Sequence, residues 1–392
     1  MINHTKISAD YLHIGHGELM KDKVLIHDNG TIIDIVDLKQ VDPSDVQHFS
    51  GVICPGFINT HCHMELSHML GRIDTGTGLL PFLQAVVGYR DIDQSVIDQA
   101  IIDADAEMKK NGIVAVGDIS NKSDTASVKK ESSIRYYTFV EMFDFMQPQM
   151  TEATIEQYKT VYASHHNESG NKKSYVPHAP YTVSPELFSY IKGSNPGSST
   201  VSIHNQETSH ENNLFLEKKG GFIDFYKGFG FSLDHFQASG KTAIHYAMKH
   251  MDSKQKTLFV HNTMTTREDI SDAQAWSDHT FWATCPNANL YIENTLPDYQ
   301  AFIDKDARMT IGTDSLSSNW SLSILEEIKT IQKYKSFIPL STLLTWATSN
   351  GASALGYDDL GTFVPGTKPG INLIHLAGKN TSLENSSLTS LA

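Results

Sequence analysis

Between residues 52 and 356 the chain alternates short apolar β-like runs with stretches long enough for helices, and this alternation limits the folds open to it. Eight runs recur: Val52–Thr60, Ile113–Ile119, Ile134–Phe143, Ser174–His178, Thr200–His204, Thr257–His261, Thr280–Thr284 and Met309–Thr313. Helix-length segments such as Gln94–Asn111, Pro185–Lys192, Lys241–His250 and Ser323–Lys333 lie between most of them. Strands joined through helices lie parallel in a sheet, and parallel strands buried on both faces read as continuous apolar runs. Eight such units predict an α/β fold, a (β/α)8 barrel of the TIM type, over residues 55–356. An open doubly wound sheet is the competing architecture. It usually carries a glycine-rich phosphate turn after its first strand, and here His61-Cys62-His63 stands in that place.

Both chain ends read differently. Residues 6–50 are short strands and turns, and apolar runs flank Asp28-Asn29-Gly30. Asn-Gly supplies the positive φ that a tight hairpin needs. The segment Gly361–Ala377 is again rich in Gly, Pro, Thr and Val and ends in the strand-like INLIHLA. These features predict a small β-sandwich domain built from both ends, residues 1–54 and 357–392. The Ser/Asn/Thr-rich stretch 378–392 is expected to be a loosely held tail.

Charge and cysteine content narrow the functional class. Lys plus Arg number 31 against 45 for Asp plus Glu, a net charge of −14. That balance argues against a broad nucleic-acid face or an anionic membrane surface as partner. No apolar run is long enough for a membrane span, and the N-terminus MINHTKISADYLHIG lacks a signal-peptide pattern. The three cysteines, Cys54, Cys62 and Cys285, form no CxxC pair. This usage fits a reducing compartment, so the expected location is the cytoplasm and the expected partner a small molecule.

In a (β/α)8 barrel the chemistry sits at the C-terminal ends of the strands. The first run ends in His61 and His63, the fifth in His204, the sixth in His261 and the eighth in Asp314. Alternate residues of a strand share a face, so His61 and His63 point the same way, as two ligands of one ion must. Taken alone, two histidines at a strand end can arise by chance; four histidines and an aspartate at one end of one barrel do not. Imidazole and carboxylate suit one divalent metal, Zn²⁺ first and Fe²⁺ second. An ion with an open water position makes hydroxide available near neutral pH. Four protein ligands suffice, which leaves one of the five groups as a partner to that water. Glu207 follows three residues after His204, where a carboxyl can carry a proton from the water to a leaving nitrogen.

The combination PGFINTHCH, HNQE, the histidine of HNT and the aspartate of GTDS resembles the amidohydrolase superfamily, over nearly the whole chain. Within it the chain is similar to the mononuclear deaminases of cytosine, guanine and S-adenosylhomocysteine and to the triazine chlorohydrolases. The resemblance implies that His61, His63, His204 and Asp314 hold the metal, that Glu207 shuttles a proton, and that His261 orients the water or the tetrahedral centre. Relatives with two metals bridge them by a modified lysine at the end of strand four. Here Lys172 and Lys173 precede that strand, which implies one metal, and His178 and Tyr181 occupy its end.

The pattern His-x-His-x-Glu-Leu-Ser also resembles aminodeoxyfutalosine deaminases. The implied reaction is hydrolytic deamination of an adenine-type nucleoside derivative by metal-bound hydroxide, with a homodimer as the family's common assembly. Glu65, His178 and Tyr181 are candidate substrate contacts, and Tyr181, Phe143 and Trp320 candidate aromatic walls, with packing the alternative for each. Two competitors stand beside this reading. One is hydrolysis of another C–N or C–halide bond, of the cyclic amidase or chlorohydrolase type. The other is a non-catalytic assembly protein on the same fold.

Overall fold

The computed structural model describes residues 4–376 and 381–392. The eight expected parallel strands form two four-stranded sheets. The first holds β5 (Phe57–Cys62), β6 (Ile113–Ser120), β7 (Arg135–Met142) and β8 (Lys172–Pro177), in that order. The second holds β9 (Thr200–Asn205), β10 (Lys256–His261), β11 (Thr280–Thr284) and β12 (Met309–Ile311). Hydrogen bonds join the sheets at both seams. At one, Ser174 Oγ donates to the Thr200 carbonyl at 2.7 Å, and His204 N to the His178 carbonyl at 2.9 Å. At the other, Thr60 Oγ1 donates to the Ile311 carbonyl at 3.0 Å, while Thr313 N and Asp314 N both reach the His61 carbonyl at 3.0 Å. The second seam draws the ends of β5 and β12 together and so sets His61 beside Asp314.

The helices pack on the outer faces by ordinary amphipathic logic. Helix Gln94–Lys110 starts at Asp93, whose side chain accepts from Ser95 N, and buries Ile97, Ile101, Ala104 and Met108. Those positions recur every three or four residues, as one face of a helix requires.

The first expected strand, Val52–Thr60, is two strands. β4 (Gln47–Pro55) belongs to a separate sheet, β5 begins at Phe57, and Gly56 lies between them. A Cβ on Gly56 would meet Val114 Cγ1 at 2.4 Å and the Pro369 carbonyl at 2.7 Å, so a glycine is needed for this close passage. Alternate residues of β4 feed two cores: Val52 and Cys54 join the large one, Ile53 the small one.

The separate sheet has six strands in the order β14-β13-β4-β1-β2-β3. Its other members are β1 (Thr5–Leu12), β2 (Lys23–Asp28), β3 (Thr31–Asp37), β13 (Ile371–His375) and β14 (Ser387–Ser390). Both ends of the chain contribute to it, and Asn29 and Gly30 turn the β2–β3 hairpin with φ of 47° and 86°. The two facing layers expected of a sandwich are, among the described residues, one continuous sheet. A bulge between Ala9 and Tyr11 interrupts the β1–β4 register, and bulges bend strands. Ile7, Leu25, Ile32, Ile53 and Leu373 thereby share one apolar cluster without a second sheet. The tail is also held more firmly than expected. β14 pairs antiparallel with β13 and Leu383 is buried; residues 378–380 lie outside the described ones.

Candidate active site

His61, His63, His204, His261 and Asp314 converge where β5, β9, β10 and β12 end, and each is buried. His61 lies in β5, and His63 follows it at the start of a short 3-10 turn, Met64–Met69. Met64 N donates to Asp118 Oδ1 at 2.8 Å, and Asp118 pairs with buried Lys129 at 2.6 Å. This ion pair anchors the backbone next to His63. His204 Nδ1 donates to the His178 carbonyl at 2.8 Å, which leaves the Nε2 lone pair free. Ser318 Oγ donates to Asp314 Oδ2 at 2.5 Å, which turns Oδ1 toward the imidazoles.

His63 Nε2 is 3.2 Å from both His61 Nε2 and His204 Nε2. Asp314 Oδ1 is 3.5 Å from His61 Nε2 and 3.4 Å from His63 Nε2. A tetrahedral ion with bonds of about 2.0–2.1 Å sets its ligand atoms about 3.3–3.4 Å apart. These four separations match edges of such a tetrahedron; His61, His63 and His204 form one cluster of ligand atoms, and His61, His261 and Asp314 an overlapping one. Burial, and then neighbouring imidazoles, hold the His204 ring well below the usual histidine range, so it is neutral and ready to ligate. Burial alone would raise Asp314, but the His61 hydrogen bond and the charges of His63 and His261 together hold it well below the carboxylate range.

The backbone beside these groups is unusual. His261 and Asp314 adopt φ of 72° and 56°, a left-handed region that non-glycine residues seldom occupy. His261 Nδ1 donates to Asn289 Oδ1 at 2.9 Å and presents Nε2 to Glu207 Oε1 at 3.8 Å. Gln206, at φ 47°, turns the chain after β9. Buried Glu211 receives the Gln206 and Glu207 backbone N–H groups at 3.0 Å each. Burial, then the negative charges of Asp314 and Glu293, push the Glu207 carboxyl well above its ordinary range.

His63, His204, Glu207, His261 and Asp314 line a cavity of about 320 Å³ together with Arg90, Asn121, Glu141 and His178. The remaining walls are largely apolar, with Leu66, Phe82, Phe143, Phe225 and Phe229 among them. Helix Leu79–Tyr89 supplies one side. His178 Nδ1 shares a proton with Thr182 Oγ1 at 2.8 Å, and burial followed by the charge of Arg90 lowers the ring to about 3. Tyr181 lines the cavity and also packs on Phe222, with ring centres 4.1 Å apart. Trp320 is elsewhere: it is exposed and rests against Tyr291.

Glu65 departs from its expected role. It is buried but does not line the cavity: Oε1 pairs with Arg90, and Oε2 accepts from Asn121 N at 3.0 Å and Lys122 N at 3.1 Å. Its oxygens are fully engaged in holding Arg90, which faces the cavity instead. Arg90 follows a helix and carries no sequence signal. Glu141 does carry one, as a lone acid inside the apolar run of β7. Burial pushes its carboxyl up to about 8, with the Asn121 hydrogen bond opposing. Lys172 and Lys173 sit at the opening of β8, where their Nζ atoms bond carbonyls of Gly356 and of Tyr162 and His165.

The sequence pattern of the amidohydrolase family matches residues 52–391. The chain belongs to that family. Among relatives of this amidohydrolase, an adenosine deaminase of Helicobacter pylori is 28% identical over 319 residues, 79% of this chain and 76% of that protein. A 5'-deoxyadenosine deaminase of Methanosphaera stadtmanae is 27% identical over 361 residues, 86% of this chain and 78% of that one. The fold is similar to the crystal structure of Helicobacter pylori aminofutalosine deaminase in complex with methylthio-coformycin. The TM-score is 0.79 at 23% identity, over 98% of this chain and 97% of that one.

Proposed function

We propose that this amidohydrolase is a metal-dependent hydrolytic deaminase of an adenine-type nucleoside derivative. The observation that carries the reading is the convergence of His61, His63, His204 and Asp314 at ligand-like separations, with Glu207 lining the cavity beside them. The deaminase activities of the relatives support the substrate class. The four residues hold one ion, with zinc favoured by the three imidazoles and one carboxylate. When bound, that ion supplies Lewis acidity and a water of lowered pKa.

The chain's own groups then divide the work. Asp314 and His261 would orient the attacking water and take up its proton. Glu207 holds a proton at its carboxyl and delivers it to a ring nitrogen as water adds to the amidine carbon. Asp314 passes the proton it takes from the water to the exocyclic amine, the C–N bond breaks and ammonia leaves, and the remaining hydroxyl proton returns to Glu207 as the C=O of the lactam forms. His178 and Tyr181 contact the base, and the apolar walls exclude competing solvent.

The same reading takes the two joined sheets as one (β/α)8 barrel, residues 55–356, with residues 1–54 and 357–392 as a small domain. Among the described residues no helix is long and apolar enough to cross a membrane. Three free, buried cysteines support a cytoplasmic location. The reading includes a homodimer, which light scattering tests.

The test is ammonia release by zinc-loaded protein from adenosine, 5'-deoxyadenosine, S-adenosylhomocysteine, aminodeoxyfutalosine, guanine and cytosine. Release from an adenine nucleoside is the expected result. Silence across the panel with zinc bound refutes the reading.

A further inference from the structure

Glu327 is a fully buried acid that takes no part in the reaction above and does not line the cavity. It lies in helix Ile324–Tyr334, behind the end of β12. Both its oxygens accept hydrogen bonds, Oε1 from Asn319 Nδ2 at 2.6 Å and Oε2 from Asn287 N at 2.9 Å. A buried carboxyl is costly unless its oxygens are bonded. Here each bond leads to one of the two groups assigned to the attacking water.

The first leads to Asp314. Asn319 Nδ2 also donates to the Thr313 carbonyl at 2.7 Å. On the other side of the same peptide plane, Asp314 N donates to the His61 carbonyl at 3.0 Å. The peptide between Thr313 and Asp314 is therefore held at both ends, and a planar unit held so cannot rotate without breaking both bonds. Asp314 has φ of 56°, so releasing that peptide lets the residue relax toward ordinary backbone and carries its carboxyl away from the imidazoles.

The second leads to His261, whose φ is 72°. Asn287 stands in the first turn of helix Pro286–Glu293, and Asn289 of the same turn accepts from His261 Nδ1 at 2.9 Å. Thr330, one turn after Glu327 on its helix, donates from Oγ1 to Asn287 Oδ1 at 2.5 Å. Glu327 and Thr330 thus grip Asn287 by two atoms and fix the helix end that carries Asn289.

We propose that Glu327 is a positioning residue that sets Asp314 and His261 relative to each other, through Asn319 on one side and Asn287 on the other. The proposal rests on the reading in which those two groups orient the attacking water. Glutamine at this position has one acceptor oxygen, so it keeps one of the two bonds and turns an N–H toward the other donor.

The experiment makes Glu327→Gln, Asn319→Ala and Thr330→Val. It measures kcat and KM for the adenine nucleoside the wild type turns over fastest, zinc affinity by chelator competition, and the visible absorption of the cobalt(II)-substituted protein. At full zinc, kcat of Glu327→Gln should fall about tenfold to a hundredfold with KM little changed. Asn319→Ala, which frees Asp314, should weaken zinc affinity about tenfold to a hundredfold and change the cobalt spectrum. Thr330→Val, which loosens only the His261 side, should lower kcat and leave zinc affinity and the cobalt spectrum as in the wild type. A Glu327→Gln protein that melts lower but keeps wild-type kcat at full zinc overturns the proposal, since Glu327 then serves packing alone. If Glu327→Gln does not fold, the other two variants decide: wild-type zinc affinity in Asn319→Ala or wild-type kcat in Thr330→Val overturns it. If the wild type releases ammonia from no adenine nucleoside, the nucleoside reading falls. The zinc affinity and cobalt spectrum of Asn319→Ala then still decide whether the brace holds Asp314.

Discussion

Replacing Glu207 by Gln removes one ionisable oxygen from the site and little else, because the side chain is buried and the two amino acids are nearly isosteric. General acid–base groups contribute about 10² to 10⁴ in rate. The surroundings of Glu207 place this change in the upper half of that range. His261 Nε2 lies 3.8 Å from its carboxyl. Burial holds that ring below the ordinary histidine value, and its Nδ1 is tied to Asn289, so it is a poor replacement donor. The cavity walls are apolar, so bulk water is a poor substitute as well. We therefore expect kcat/KM to fall by about 10³ to 10⁴, or roughly 4 to 5.5 kcal/mol of transition-state stabilisation. The assay is ammonia release, with zinc measured in the same sample. Stability of the zinc-free protein supplies a second readout. The folded-state pKa of Glu207 is raised, so the wild type is penalised above the ordinary glutamate pKa of about 4.3, and the penalty disappears as pH falls below it. Zinc-free Glu207→Gln should melt higher than zinc-free wild type near neutral pH and at the same temperature near pH 4. Activity within tenfold of wild type at full zinc occupancy refutes the assignment of Glu207 as the proton carrier.

Other perturbations address the metal centre and its support. His204→Ala should lose zinc in elemental analysis, and full occupancy removes His204 from the ligand set. Ser318→Ala deletes the 2.5 Å bond that orients Asp314, so zinc affinity by chelator competition should weaken about 10- to 100-fold; unchanged affinity shows that the β12 backbone alone positions the carboxylate. Lys129→Met leaves buried Asp118 without its cation, and losing one partner of such a pair costs about 3–5 kcal/mol. Thermal unfolding should show a clear fall in Tm, and an unchanged Tm excludes a stabilising role for the pair.

Much of the architecture was legible in local sequence. Strand and helix periodicities depend on neighbours a few residues apart, so the runs that became β6 to β12 and the helix Gln94–Lys110 stand close to their expected positions. The β2–β3 turn was legible for the same reason, since Asn29 and Gly30 carry its positive φ values themselves. The strand-end positions of His61, His63, His204, His261 and Asp314 could also be read, because a histidine or aspartate closing an apolar run stands out.

What depended on distant chain segments could not be read. The break at Gly56 arises from contact with Val114 and Pro369, and the tail becomes β14 only because β13 offers it an edge. Glu65 looked like a substrate contact beside the ligand pair, yet Arg90, Asn121 and Lys122 take up its oxygens. Glu141 is one acid in a strand until Asn121 pairs one of its oxygens and leaves the other buried without a hydrogen-bond partner among the described residues. Sequence thus determined which residues could do chemistry and at which strand ends they lie. Tertiary structure decided which of their atoms remain free, because hydrogen-bond satisfaction inside a protein is settled by partners from anywhere in the chain.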